Sequence, residues 1–396
     1  MEKVKETAIK LCHAFILMML GINLHAQNYT YKPRFTVSKS HFADTIPIEF
    51  EDDQIYIRAF TRDSEYRFCL DTGSSQGIVY ADSPLPYTRK LGKIVSHDAN
   101  GATSHIDVVE YPDFRIGGIT IHGYAGSLID SHIPHDGYDA VLGFDLVNKG
   151  LSMKIDTEKG FLVLTDNSRH FDGEGGFALK YRLPRWVPLV RISPFDDCTD
   201  EARFDTGSRR LYVMSGKSRR EFSAEHEEFG TQIEGLSFGS RSIGSFGAEQ
   251  PDEVAFLRLD RLKWGEFTFS DYHTMTTQGT SRIGAELLRY GSVVFLPKRK
   301  AIVFQPYGGH NSCSVGNKQM EIAFIPHDGR ATVGLIWEGS KQYKSGFRQG
   351  DAILSIDGRP IGSFGQFLSY PFINGRQHVF MVRGADGRLR EVRSER

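Results

Sequence analysis

The chain has little cysteine, little proline and almost no net charge. Four Cys in 396 residues are too few for a disulfide scaffold. With 15 Pro and 40% hydrophobic residues it is neither low-complexity nor too polar to build packed cores. Lys and Arg number 48 against 49 Asp and Glu, which removes the basic signature of a nucleic-acid binder. The one long apolar run, Leu11 to Leu24, is short for a membrane span and polar at its ends. It follows Lys3, Lys5 and Lys10 and leads to Leu24-His25-Ala26, so residues 1–26 read as a secretory signal peptide cut after Ala26. An N-terminal anchor or an amphipathic first helix are the alternatives. The expected location is exported, periplasmic or secreted, with membrane contact only through the cleaved signal. Cleavage leaves Cys69, Cys198 and Cys313, an odd number that cannot all pair internally. Cys69, within Phe68-Cys69-Leu70, reads as a small buried apolar side chain. There is no Gly-rich phosphate loop and no metal-ligand spacing of Cys and His, so neither cofactor nor metal is expected. His132 and His135, near Asp130, Asp136 and Asp139, read as a solvated loop because no third ligand is placed by periodicity.

What the chain does have is short alternating segments, such as Ile55-Tyr56-Ile57-Arg58-Ala59-Phe60, punctuated by Gly, Asn and Asp. Few stretches keep a 3.6-residue period; Ser218–Glu227 is the best, with short turns after Gly143 and Gly284. The fold class is mainly β.

The sequence also repeats itself. Asp71-Thr72-Gly73-Ser74 recurs as Asp205-Thr206-Gly207-Ser208, each after an apolar strand end. Phe114–Ile121 recurs in character as Leu262–Phe269, and Val141-Leu142-Gly143 as Arg282-Ile283-Gly284. Each half closes on a hairpin, around Asp156–Gly160 and around Pro297–Lys300. Shared features in one order indicate a duplicated lobe, residues 45–168 and 176–307, joined by a Gly-rich linker at Asp172–Gly176 that reads as flexible. A second linker, Tyr307–Asn317, leads to a third unit at 319–394.

Two carboxylates brought together across a pseudo-two-fold axis cannot both ionise cheaply and share a proton. The charged member then activates a water, and the protonated member polarises a carbonyl oxygen. Gly73 and Gly207 let the backbone turn tightly beside the carboxylates, and the Thr and Ser hydroxyls can orient them. The chemistry needs no metal and no covalent nucleophile.

On these motifs residues 45–306 resemble the aspartic peptidases of the pepsin and retropepsin type, and more closely two fused retropepsin-type units. The resemblance implies a bilobal β fold with its site between the lobes. Asp71 and Asp205 would be the catalytic dyad, Thr72 and Thr206 the interlocking pair beneath it, and Ser74 and Ser208 donors to the outer carboxylate oxygens. Arg282 departs from the pattern at a hydrophobic position, and Arg209-Arg210 follow the second motif, where they are expected to face solvent. Family members cover the cleft with hairpin flaps. The candidate in lobe 1 is Ile94–Val109, with Asn100-Gly101 at its tip, and in lobe 2 the longer Gln232–Val254, which reads equally as a surface loop.

The third unit resembles the bacterial PDZ domain, through Gly339-Ser340 and Ser345-Gly346-Phe347-Arg348-Gln349-Gly350-Asp351-Ala352-Ile353-Leu354-Ser355-Ile356-Asp357-Gly358. Such domains add an extended peptide end to a sheet edge. The segment expected to form that groove, Asp328–Thr332, matches poorly. The expected function is an exported aspartic endopeptidase acting as a monomer on polypeptide substrates, with a peptide C-terminus as a further partner of the PDZ unit and no nucleic acid. The alternative is a non-catalytic peptide- or envelope-protein-binding module on the same fold.

Overall fold

The computed structural model describes residues 28–130, 137–196, 198–317, 319–373 and 375–395. The expected signal peptide and the His132/His135 pair lie outside them. The chain is mainly β, and no helix among the described residues is long and apolar enough to cross a membrane.

Each half builds the same strand pattern around its Asp-Thr-Gly-Ser loop. In the first, strand Glu65–Leu70 runs parallel to Ala140–Leu142, which pairs antiparallel with Gly77–Tyr80. In the second, Asp200–Phe204 runs parallel to Arg282–Ile283, which pairs antiparallel with Tyr212–Val213. The strand carrying each Asp is therefore flanked by the segment ending in its Gly. A helical turn follows each Gly, at Asp145–Asn148 and Ala285–Arg289. The turns of the repeated hairpins match too: Gly117 and Gly265 have φ of +53° and +57°, a left-handed conformation open to glycine at little cost.

The closing hairpins join the lobes. Strands Ala43–Glu51, Phe161–Thr165, Ser152–Asp156, Gly291–Leu296, Ala301–Pro306 and Phe177–Arg182 form a continuous six-stranded antiparallel floor. Its central seam pairs Met153 with Phe295 and Ile155 with Val293. One buried apolar cluster runs through both lobes and this floor, with Phe295 packed edge-on against Phe144 and Phe204.

Two linkers differ from their sequence reading. Asp172–Gly176 is an exposed turn pinned by side chains: Arg299 pairs with Asp172 at 2.6 Å and Lys154 with Glu174 at 2.6 Å. Within the second linker, Ser312–Ser314 adds a parallel strand beside Phe267–Met275, because extended backbone at a free sheet edge satisfies its polar groups there.

The C-terminal unit is a sheet in the order Ile322–His327, Arg330–Ile336, Ala352–Ile356, Gln377–Arg383, Leu389–Glu395, with short helices Lys341–Lys344 and Phe364–Leu368 and a core of its own. It also sits directly on lobe 2. Ser240 N–H donates to the Gly334 carbonyl at 3.0 Å, and Ser237 Oγ donates to the Ile336 carbonyl at 2.7 Å. Beneath these bonds Val254, Phe256 and Met275 of lobe 2 bury against Ala323 and Leu335.

Candidate active site

The two Asp-Thr-Gly-Ser loops meet at the floor of the interlobe cleft. Asp71 N–H donates to the Leu142 carbonyl at 2.9 Å, and Asp205 N–H to the Ile283 carbonyl at 2.8 Å, so each strand delivers its Asp at the same point. Thr72 and Thr206 are fully buried and hold the loops together reciprocally. Thr72 N–H donates to Thr206 Oγ1 and Thr206 N–H to Thr72 Oγ1, both at 3.0 Å. The hydroxyls donate onward across the interface, Thr72 to the Phe204 carbonyl at 2.9 Å and Thr206 to the Leu70 carbonyl at 2.7 Å. Four buried backbone groups are satisfied only because both threonines are present.

Each carboxylate leans on the glycine of the opposite loop. A Cβ at Gly207 would fall 2.6 Å from Asp71 Cγ, and one at Gly73 would collide with the Asp205 carboxylate. The need for glycine here is steric: the opposite acid occupies the space of a side chain. Gly73 N–H donates to Asp71 Oδ1 at 2.8 Å and Ser74 Oγ to Asp71 Oδ2 at 2.7 Å. In the second loop the donors to Asp205 Oδ1 are the backbone N–H groups of Gly207 (3.1 Å) and Ser208 (3.2 Å). Ser208 thus contributes through its main chain, where the sequence pattern implied its hydroxyl.

Asp205 is 6% exposed and Asp71 half-buried. Burial, together with the neighbouring Asp205 charge, pushes the Asp71 carboxyl up to about 7, against the pull of its Ser74 and Gly73 hydrogen bonds. Burial likewise pushes up the Cys69 thiol, which packs with Tyr56 and Val141 in lobe 1. Cys69 and Cys313 are both free thiols.

A cleft of about 1180 Å³ runs over the dyad. Its roof is the hairpin of Arg89–His97 and Thr103–Glu110, whose tip includes Asn100 and Gly101, the latter with φ of +87°. The Gln232–Val254 stretch is ordered: strand Ile233–Gly239 is followed by a small hairpin of Ile243–Gly244 and Gly247–Ala248. This small hairpin meets the lobe 1 tip over the cleft. Ser242 Oγ lies 3.1 Å from the Asn100 side-chain amide, and Phe246 N–H donates to Asp98 Oδ2 at 3.2 Å. Asn28–Tyr31 lines the cleft as well, tied to the roof by Tyr29 N–H donating to the Lys93 carbonyl at 2.9 Å.

Three arginines need comment. Arg209 and Arg210 are exposed yet line the cleft, and Arg209 Nη2 donates to Gln54 Oε1 at 2.7 Å. Arg282, at a hydrophobic position of the repeat, is 7% exposed and also lines the cleft. Sequence comparison of the halves flagged Arg282 as a misfit without giving it a role. Among the described residues no group of three or more His, Cys, Asp or Glu could hold a metal ion.

No protein-family model and no curated protein matches this sequence. Among solved structures the chain is similar to basic 7S globulin from soybean, at a TM-score of 0.42 and 11% identity, over 66% of this chain and 94% of that one.

Proposed function

We propose that this chain is an exported aspartic endopeptidase of the retropepsin-like type, with a PDZ-like C-terminal unit. The observation that carries this is the dyad itself: two carboxyls from equivalent loops, locked by reciprocal threonine bonds, with Asp71 kept protonated up to about neutral pH.

An extended peptide lies in the cleft beneath the roof hairpins, and a water sits between Asp71 and Asp205. Asp205 takes a proton from the water as its oxygen adds to the scissile carbonyl carbon. Asp71 gives its proton to the carbonyl oxygen, so the tetrahedral diol is neutral. Collapse breaks the C–N bond as the proton held on Asp205 passes to the leaving nitrogen, and one diol hydroxyl returns its proton to Asp71 as the C=O re-forms. The reaction consumes one water and leaves a carboxyl and an amine. Exclusion of bulk solvent by the closed roof strengthens each of these interactions.

For the C-terminal unit, the edge strand among the described residues is Ile322–His327, which pairs with Arg330–Ile336 on one side. Asp328-Gly329 is the turn between them, with φ of 49° and 73°, so a groove along this edge strand would lie before the position read from sequence. Helix Phe364–Leu368 flanks this edge, with Phe367 against Phe324 at 4.7 Å between ring centroids. A peptide end added to that strand is the proposed partner.

The test is cleavage of a peptide library and a denatured protein from about pH 3 to pH 8, with Asp71→Asn and Asp205→Asn alongside. Loss of cleavage in both variants supports the reading. A folded chain that binds peptides without cutting at any pH overturns it in favour of the binding module.

A further inference from the structure

The two halves of the cleft share a backbone plan but not a chemistry. In lobe 1 the positions facing each other on the parallel strands beside Asp71 are Cys69 and Val141, both buried and apolar. In lobe 2 the equivalent register pair is Arg203 and Arg282. Placing like charges at paired positions costs stability, and burying them without partners costs more. The Arg203 side chain has no hydrogen bond or ion pair among the described residues, and Arg282 has one hydrogen bond, to Thr277 Oγ1 at 3.2 Å. The Nε atoms of both are buried and unpartnered.

The acids whose charges act on Arg282, namely Asp205, Glu249 and Asp98, take their hydrogen bonds from other groups. Glu249 accepts from Thr277, Gln278, Ser242 and Arg241. Asp98 accepts the backbone N–H groups of Asn100, Ala102 and Phe246. Asp205 accepts those of Gly207 and Ser208. Arg241, also lining the cleft, adds a further buried cation beside Arg282. Two guanidiniums without an ion pair among the described residues, one of them bonded only to Thr277 Oγ1 and close to the Asp205 charge, therefore stand in the cleft wall.

We propose that Arg203 and Arg282 form a pocket for a carboxylate of the substrate, an Asp or Glu side chain next to the scissile bond on the lobe 2 side, opposite an apolar pocket formed in lobe 1. This rests on the endopeptidase reading for its place in a reaction, but the pocket is testable apart from it. A planar guanidinium fork fits a carboxylate, and a charge-assisted bond in a site shielded by the roof discriminates strongly against a neutral amide.

The experiment compares peptides that differ only by Glu against Gln at each position, and by free-acid against amidated termini. Binding is measured to full-length Asp71→Asn protein, and cleavage with the unaltered chain. At one internal position Glu should bind roughly tenfold to a hundredfold tighter than Gln, with a matching preference in kcat/KM. The ratio should fall to within about twofold in Arg282→Ile and in Arg203→Leu, the second a less buried site that keeps the test available if the first misfolds. Discrimination without cleavage supports the pocket and overturns the endopeptidase. Cleavage without discrimination overturns the pocket alone. Discrimination confined to terminal carboxylates, or unchanged in both arginine variants, also overturns it.

Discussion

Replacing Thr72 by Val tests the interlock beneath the dyad. Valine keeps the shape and a methyl group but loses the hydroxyl. That hydroxyl donates to the Phe204 carbonyl and accepts from Thr206 N–H. Both partners would be left unpaired in a site with no solvent exposure at either threonine. Each orphaned buried group costs about 1–3 kcal/mol, so the loss should be about 2–6 kcal/mol, a large share of the about 5–15 kcal/mol that holds a typical domain together. Thr72→Ser keeps the oxygen and forfeits one methyl, about 1 kcal/mol. The assay is urea unfolding followed by tryptophan fluorescence, for which Trp264, buried in lobe 2, is a reporter. The midpoint should drop far more for Val than for Ser, with an unchanged slope. A valine variant within about 0.5 kcal/mol of the native chain, or a serine variant as unstable as the valine one, would refute the assignment of these bonds as the clamp between loops.

Activity should be high below neutrality and decline as pH rises through about 7, because deprotonating Asp71 removes the shared proton; a rate still climbing beyond that point would contradict the mechanism. Burial pushes the Asp145 carboxyl up to about 8, so the folded chain keeps a proton that the unfolded chain releases near pH 4. Stability should therefore fall as pH rises between those values, and Asp145→Asn, which can still accept from Tyr124, should flatten the slope in urea titrations at acid and mildly alkaline pH. Gly244→Ala would drive a methyl into the Asp98 carboxylate and open the roof latch, seen as faster amide exchange at residues 98–102 with little change in global unfolding. Truncation after Gly316 would bare Val254, Phe256 and Met275, and the shortened chain should bind a hydrophobic dye that the full chain does not.

Much of the mainly β fold was legible because duplication supplies its own control. A single Asp-Thr-Gly-Ser is a turn; two, each followed by a matching Gly segment and hairpin, point to a common plan. The tip at Asn100-Gly101 was legible because a positive φ there favours Gly. What escaped the sequence depended on contacts between distant segments. Ser208 uses its N–H because its loop presents backbone to Asp205. The strand at Ser312–Ser314 exists because an edge was free beside it, which a Gly- and Asn-rich stretch does not announce. Arg203 reads as an ordinary strand residue until its register with Arg282 is known.

The six-stranded floor constrains how anything reaches the dyad. Backbone pairing across the seam between Ser152–Asp156 and Gly291–Leu296, with the threonine clamp above it, means that the lobes cannot part without breaking a ladder of main-chain bonds. The roof, by contrast, is latched by a few side-chain and main-chain hydrogen bonds at a hairpin tip. The hydrogen bonds that would have to break to open the cleft from above are thus far fewer than those that would have to break to part the lobes below it.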